Sequence, residues 1–326
     1  MYTALILEQH DGNTQASIGN ITEAQLPVGD VTVKVSHSSL NYKDGLAITG
    51  TGKIIRQFPM VPGIDFAGEV LHSDHPRFLV GDSVILTGWG VGETHWGGMA
   101  EVARVQGEWL VPMPNNCDGA KAMLIGTAGL TAMLCVQAIL DAHVPTDAGE
   151  VLVTGASGGV GSTAVTLLAQ LGYQVCASTG RVAQNQQLLT DLGASSVIDR
   201  AELDRPAKPL EKQRWAAVVD TVGNQVLATA LAQIQYGGVA TICGLAGGAA
   251  LPTTVMPFIL RNVSLLGIDS VNCPIPQREQ AWDNLLKLLP DSFYQQAGTT
   301  ISLEQVPEYA ARIVNGAVTG RTLIKL

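Results

Sequence analysis

Two hydrophobic rhythms in one chain predict an α/β protein of two domains, a partly open β-barrel joined to a doubly wound parallel sheet. Through the first third, short β-rich runs are separated by turn residues, whereas from Gly149 onward apolar runs alternate with helical periodicity. A single glycine-rich turn, Gly155-Ala156-Ser157-Gly158-Gly159-Val160-Gly161, marks the first strand-to-helix junction of the second part. At 326 residues the chain also exceeds the usual reach of one hydrophobic core.

The barrel expectation rests on residues 3–7, 31–36, 66–71, 83–86 and 100–105, each rich in β-formers and bounded by turn residues. The second part reads strand 151–154, helix 162–171, strand 174–177 and helix 183–192, then apolar runs 216–219 and 239–243. Nearly continuous apolar strands interleaved with helices belong to a parallel sheet covered on both faces. Residues 320–326 alternate again like a strand, after a helix over 305–314, and are expected to rejoin the first domain. The expected division is therefore 1–123 with 298–326 in the barrel-like domain and 124–297 in the sheet domain, crossing near 112–119 and 290–298.

Composition narrows the function. A net charge of -9 and a pI near 5.1 exclude a general nucleic-acid binder, which needs a basic face for phosphates. With 46% hydrophobic and 14% charged residues the chain is not disordered. Cys117, Cys135, Cys176, Cys243 and Cys273 are odd in number and include no C-x-x-C pair, and the six histidines are nowhere grouped with them at metal-ligand spacing. Scattered thiols and the absence of a basic leader before Glu8 point to the cytoplasm. Two charge-free stretches, 122–140 and 239–260, approach the length of a membrane span, but Gly126, Thr127, Gly129, Thr131 and Gln137 in the first and three glycines, Pro252 and Pro257 in the second mark a buried helix and a buried strand plus loop.

Ala156, Gly158 and Gly161 fit the dinucleotide-binding spacing, with alanine for its first glycine. Small residues permit the tight turn, let main-chain amides reach a pyrophosphate, and let the helix pack on its strand. The loop also matches G-x-S-x-G at Gly155-Ala156-Ser157-Gly158-Gly159, but a nucleophile elbow needs a later histidine and none follows His143. About 20 residues on, where an acid grips the ribose of NAD, the chain reads Ala177-Ser178-Thr179-Gly180-Arg181. Two hydroxyls and a guanidinium without a carboxylate favour a 2′-phosphate, so NADPH is the expected cofactor, although Arg181 at the start of a helix is also an ordinary solvated residue. Arg200, after the third strand of this part, is a second phosphate candidate.

Asn41-Tyr42-Lys43-Asp44 place an aromatic, an amide, a cation and a carboxylate together after a β-like run. Tyr42, Asn41 and Asp44 are the candidate catalytic residues; Asn41 and Asp44 read equally well as caps of a following turn or helix. Hydride from a reduced nicotinamide, with no metal to stabilise an alkoxide, suits an alkene conjugated to a carbonyl, with the α-carbon protonated by Tyr42 or water. Asp65 within Gly63-Ile64-Asp65-Phe66-Ala67-Gly68 either reaches that site or braces the barrel, and His95 reads as a structural histidine beside Trp96.

These motifs, with Pro62 to Gly68 and the Ala156-to-Gly161 loop, resemble the zinc-less quinone-oxidoreductase branch of the medium-chain dehydrogenases/reductases, whose domains are a GroES-like barrel and a Rossmann sheet. More narrowly, Leu86-Thr87-Gly88-Trp89-Gly90-Val91-Gly92-Glu93, Cys243 to Gly248 and Leu251 to Arg261 are similar to acrylyl-CoA reductases of the AcuI/YhdH type. The resemblance implies NADPH-dependent reduction of acrylyl-CoA to propanoyl-CoA, and cofactor contacts at Tyr42, Ser157, Gly158, Gly159, Val160, Thr179, Gly180, Arg181, Arg200, Leu245, Ile259 and Ser270, to which the glycine-rich turn and the selector add Gly155, Ala156, Gly161 and Ser178. It also implies a homodimer, joined through the edge strand near residues 263–268, with no nucleic-acid or membrane partner. Lys43, Lys53, Arg56 and Arg261 are candidates for the phosphates of an acyl-CoA. A quinone or free-enone reductase, and a catalytically silent NADPH-binding protein, are the competing expectations.

Overall fold

Runs such as Trp215–Asp220, in which every residue is buried, offer water no face. In a computed structural model, which describes residues Met1–Leu326, such runs pair into a six-stranded parallel sheet. Its order is Ser196–Asp199, Gln174–Thr179, Glu150–Val153, Trp215–Asp220, Ile234–Ile242, Ser264–Gly267. That is the doubly wound order, whose chain direction of winding reverses between Glu150–Val153 and Trp215–Asp220. Helix Gly159–Gln170 buries every residue from Gly161 to Leu168, so it is enclosed on all sides, as a helix of small and apolar residues with short hydroxyls allows. Leu152, Trp215, Val218, Leu231 and Ile234 share the core, each such large apolar side chain contributing about 2 kcal/mol by leaving water. The unit comprises Ala128–Ser270 and Asn284–Gln296.

The other unit comprises Met1–Thr127, Val271–Asp283 and Ala297–Leu326. Its seven-stranded sheet runs Gly298–Ser302, Arg321–Lys325, Val31–Leu40, Asp65–Ser73, Ser83–Thr87, Leu110–Pro112, with Val102–Val105 paired to Val31–Leu40 off that path. All pairings are antiparallel except that of Gly298–Ser302 with Arg321–Lys325. A hairpin of Tyr2–His10 and Asn13–Ile21 turns at Asp11 and Gly12, both with positive φ (48° and 82°), the geometry of a two-residue type I′ turn. Helix Tyr42–Thr49 lies against helix Val306–Val314 at Gly45, where a Cβ would stand 2.6 Å from Ile313 Cγ2.

Several boundaries differ from the sequence expectation. Val271–Asp283, expected within residues 124–297 of the sheet domain, packs with the barrel unit, and the first unit ends at Thr127. Strand Asn13–Ile21 escaped notice because its polar sequence, NTQASIGNI, lacks a clean alternation. The charge-free stretch after Gly119 is helix Gly119–Asp141, broken at Gly126 (φ 51°, ψ -159°). By length and composition it could cross a bilayer, but 72% of its most apolar window is buried inside the protein. Residues 239–260 are the end of a buried strand, a loop and the short helix Met256–Arg261, each too short for a span.

Candidate active site

The glycine-rich turn begins where strand Glu150–Val153 ends, and three interactions fix its shape. Thr154 Oγ1 donates to Asp220 Oδ1 (2.7 Å), Thr221 Oγ1 donates back to Thr154 O (2.9 Å), and Ala156 N donates to Ser178 O (3.0 Å). Asp220 is fully buried at the end of its strand; burial pushes its carboxyl up, while Thr154 and the Gly223 and Val222 amides pull it down. Gly155 sits at φ 59°, and a Cβ there would collide with Thr221 Oγ1. A Cβ on Gly161 would collide with Gly155 O and stand 2.7 Å from Ala156 Cα. Only glycine fits either position, and the result is a tight turn that leads into the amino end of helix Gly159–Gln170, where main-chain amides favour an anion.

The selector residues gather beside this turn. Ser157 Oγ and Thr179 Oγ1 are 3.1 Å apart, and Thr179 Oγ1 also accepts from Arg181 N (3.3 Å) and Asn185 Nδ2 (3.4 Å). Arg200 lies against Gly180, where a Cβ would stand 3.4 Å from its guanidinium carbon, and pairs with Asp204 at 3.5 Å. Two guanidinium-bearing residues and two hydroxyls thus border the end of strand Gln174–Thr179, with no carboxylate on that strand. Ser178 is a correction: its hydroxyl is sealed in the sheet at 1% exposure without a hydrogen-bond partner, so it serves the turn through its carbonyl. Leu245 and Ile259 are exposed in the same unit, and Ser270 accepts a hydrogen bond from Thr131 (2.8 Å). With Cys176 and Thr179 on the second strand and the cradle on the first, these residues fit a dinucleotide carrying a 2′-phosphate.

In the barrel unit, Tyr42 opens helix Tyr42–Thr49 and remains 36% exposed, whereas Asn41 and Asp44 turn inward. Asn41 N donates to Asp44 Oδ2 (2.9 Å) and Ile64 N donates to Asp44 Oδ1 (3.0 Å). Asn41 Nδ2 donates to Asp65 Oδ1 (3.1 Å), and Asn41 Oδ1 accepts from Arg321 Nη1 (3.0 Å). Asn41 and Asp44, expected as catalytic candidates, are therefore bracing residues: both are buried and spend their polar atoms holding the helix start and the turn at Ile64. Asp65 is likewise fully buried, accepting from Ser39 Oγ (2.7 Å) and Thr127 N (2.8 Å) with Arg321 at 3.7 Å. Arg321, from the last strand, and Ser39 were missed; an arginine heading an otherwise apolar alternating strand was the available signal.

Burial, then the Asp65 carboxylate, push Asp44 from 3.8 up to about 7, against the two amides and the Asn41 side chain that favour its charged form. The folded protein therefore holds this proton more tightly than the unfolded chain. Asp44 contributes stability fully present below about pH 4 and lost as pH rises through about 7, roughly 4 kcal/mol at most. Asp44→Asn should flatten that part of the curve, so that its melting temperature relative to the parent rises between pH 5 and pH 8; a pH-independent difference contradicts the assignment.

The basic candidates divide. Lys43 is paired with Glu93 at 2.8 Å, and Arg261 donates to the carbonyls of Ala232 (2.8 Å), Ile234 (3.2 Å) and Glu211, which removes it as a phosphate ligand. Lys53 and Arg56 are exposed. His95 is structural, its Nε2 donating to Arg104 O (2.7 Å). No three His, Cys, Asp or Glu side chains converge so as to hold a metal ion.

A doubly wound sheet with a glycine cradle on its first strand, and a separate barrel with a polar cluster behind a tyrosine, define a two-domain oxidoreductase of medium-chain type. Residues 27–115 match the family model "Alcohol dehydrogenase GroES-like domain", and residues 159–290 match "Zinc-binding dehydrogenase". Over 323 residues, 99% of each chain, the sequence is 61% identical to probable acrylyl-CoA reductase AcuI of Escherichia coli (strain K12). It is 47% identical over 99% of each chain to acrylyl-CoA reductase AcuI of Ruegeria pomeroyi. The crystal structure of YhdH from Salmonella enterica in complex with NADP superposes with a TM-score of 0.98 at 60% identity, covering 99% of each chain. The chain belongs to the acrylyl-CoA reductase family of the medium-chain dehydrogenases/reductases.

Proposed function

We propose that this chain is an NADPH-dependent reductase that converts acrylyl-CoA to propanoyl-CoA without a metal. The observation that carries the reading is a turn in which Gly155 and Gly161 admit no Cβ, bordered by a selector of Thr179, Arg181 and Arg200 in place of an acid. The full-length likeness to two acrylyl-CoA reductases supports the substrate. When bound, NADPH supplies the hydride that adds to the β-carbon of the thioester's double bond. Main-chain amides of Ser157, Gly159, Val160 and Gly161 would hold the pyrophosphate, with Gly155, Ala156 and Gly158 shaping the turn around it, and Arg181 and Arg200 would hold the 2′-phosphate. Gly180 leaves room for the Arg200 guanidinium, and Leu245, Ile259 and Ser270 would line the cofactor's path. The Tyr42 hydroxyl, displayed by the braced helix start, would polarise the thioester carbonyl or protonate the α-carbon.

Three measurements decide. NADPH oxidation should be faster with acrylyl-CoA than with acrylate, a small enone or a quinone; a faster quinone rate would make the chain a quinone reductase, and binding of NADPH without turnover of any of them would make it a silent nucleotide binder. Arg181→Ala should weaken NADPH about 10- to 100-fold, the worth of a charge-assisted contact, and NADH less than twofold; equal losses would reject the selector. Tyr42→Phe should lower kcat about 100-fold with little change in NADPH affinity, the usual contribution of a positioned proton donor; an unchanged kcat would transfer that step to water.

We also infer a homodimer formed through Ser264–Gly267. This strand ends the parallel sheet with one edge unpaired and carries exposed Leu266, and exposed Ile259 and Leu260 lie in the helix Met256–Arg261 that precedes it. A monomer at micromolar concentration in sedimentation would refute it. Cytoplasmic thiols would keep Cys135, Cys176 and Cys243 reduced.

A further inference from the structure

The string Leu86 to Glu93 has no part in the cofactor cradle, yet the barrel unit invests heavily in its tryptophan. Trp89 adopts φ 59° between Gly88 and Gly90, both also in the left-handed region, a conformation a bulky residue keeps only when its surroundings enforce it. Its main chain is tied by Trp89 N donating to Val271 O (3.1 Å). Arg278, fully buried, lies with its guanidinium carbon 5.1 Å from the Trp89 ring centroid. That guanidinium is fixed by Thr87 O and Oγ1 (2.7 Å each), Val271 O and Cys273 O (3.2 Å each). The indole nitrogen of Trp89 is buried without a hydrogen-bond partner.

Trp89 forms one wall of a cavity of about 520 Å³, whose other walls include Trp109, His75, Arg77 and Glu108. Trp109 is itself set edge-on against His95, whose ring is held by Arg104 O. Arg77 stands over the Phe78 ring, bridged to Glu279 at 2.6 Å. Two indoles supply aromatic surface suited to a heteroaromatic ring, the exposed Glu108 carboxylate would accept from an exocyclic amine, and Arg77 would meet a phosphate by exchanging its pairing with Glu279. The volume lies within the range of small-molecule sites.

We propose that this cavity binds an adenine nucleotide, and, resting on the function proposed above, that its occupant is the adenosine end of the coenzyme A thioester. The recognition would separate a thioester substrate from a quinone by contact with the nucleotide, which a quinone lacks. The test uses enzyme saturated with NADP, so that the cofactor's own adenosine site is filled. Adenosine 3′,5′-bisphosphate should then compete with acrylyl-CoA. In Trp109→Leu the ratio of kcat/KM for acrylyl-CoA to that for acrylyl-pantetheine, which lacks the nucleotide, should fall roughly tenfold, the scale of a lost base–aromatic stack. Glu108→Gln, an exposed change that leaves the fold intact, should lower the same ratio about threefold by losing a charge-assisted hydrogen bond. If wild-type enzyme reduces both thioesters and neither variant moves the ratio, the pocket assignment falls alone. If wild-type enzyme reduces neither thioester, the reading beneath it falls, and this inference with it. AMP binding that leaves the rate with acrylyl-CoA untouched would give the cavity to another nucleotide and overturn the assignment to substrate.

Discussion

Gly161→Ala is expected to weaken NADPH by more than about 100-fold and to lower stability by about 1–3 kcal/mol, the usual cost of forcing a methyl into a filled space. The new Cβ would meet Gly155 O and, at 2.7 Å, Ala156 Cα. Both obstacles are main chain, so no side chain can swing away; the turn itself must open, and its amides lose their common focus on the pyrophosphate. Gly158→Ala is the internal comparison, because its Cβ would meet only Gly155 O at 3.3 Å. A small shift accommodates that approach, and the loss should be several-fold at most. NADPH fluorescence titration reads both variants. If Gly161→Ala binds within threefold of the parent, main-chain closure at this turn does not hold the cofactor.

The cradle was legible because its requirement is local. Small residues at Ala156, Gly158 and Gly161 between an apolar strand and a periodic helix describe one turn, and the turn forms as the spacing implies. The absence of an acid after Ala177 was equally local. What holds the turn was not: Asp220 lies 66 positions from Thr154, and only the parallel pairing of Trp215–Asp220 with Glu150–Val153 brings them together. The sole sequence sign was a carboxylate closing the apolar run WAAVVD.

The same distinction separates Tyr42 from its neighbours. Asn41 and Asp44 carry the residue types of a catalytic cluster and of a helix cap, and local sequence cannot choose between those roles. The choice is made by Asp65 and Arg321, 24 and 280 positions from Asn41, which consume its side-chain amide. Val271–Asp283 was misassigned for a similar reason: a segment leaving the parallel sheet carries no mark of the unit in which its side chains finish.

Arg321→Met should destabilise the protein by about 3–5 kcal/mol, because it removes one partner from a buried ion pair and leaves the other without compensation. Arg321 is 3% exposed and its guanidinium meets Leu124 O (3.0 Å), Asn41 Oδ1 (3.0 Å), Ser39 Oγ (2.7 Å) and Met123 O (3.4 Å), with Asp65 at 3.7 Å. Burial works against the Arg321 charge, and the Asp65 and Asp44 carboxylates oppose that loss. Without the guanidinium, two buried carboxyl groups face each other across Asn41, and their most economical response is to take up protons. The variant should therefore unfold roughly 10 °C lower near neutral pH and regain part of that difference toward pH 5, where the Asp44 carboxyl, pushed up to about 7, holds its proton and a single carboxylate is left. Asp65→Asn in the same chain should restore part of the loss at pH 7, since an amide needs no counter-charge. Calorimetry of the parent, both single variants and the double variant closes the cycle. Additive losses would mean that Arg321 and Asp65 act independently, and the network behind Tyr42 would then be a coincidence of packing.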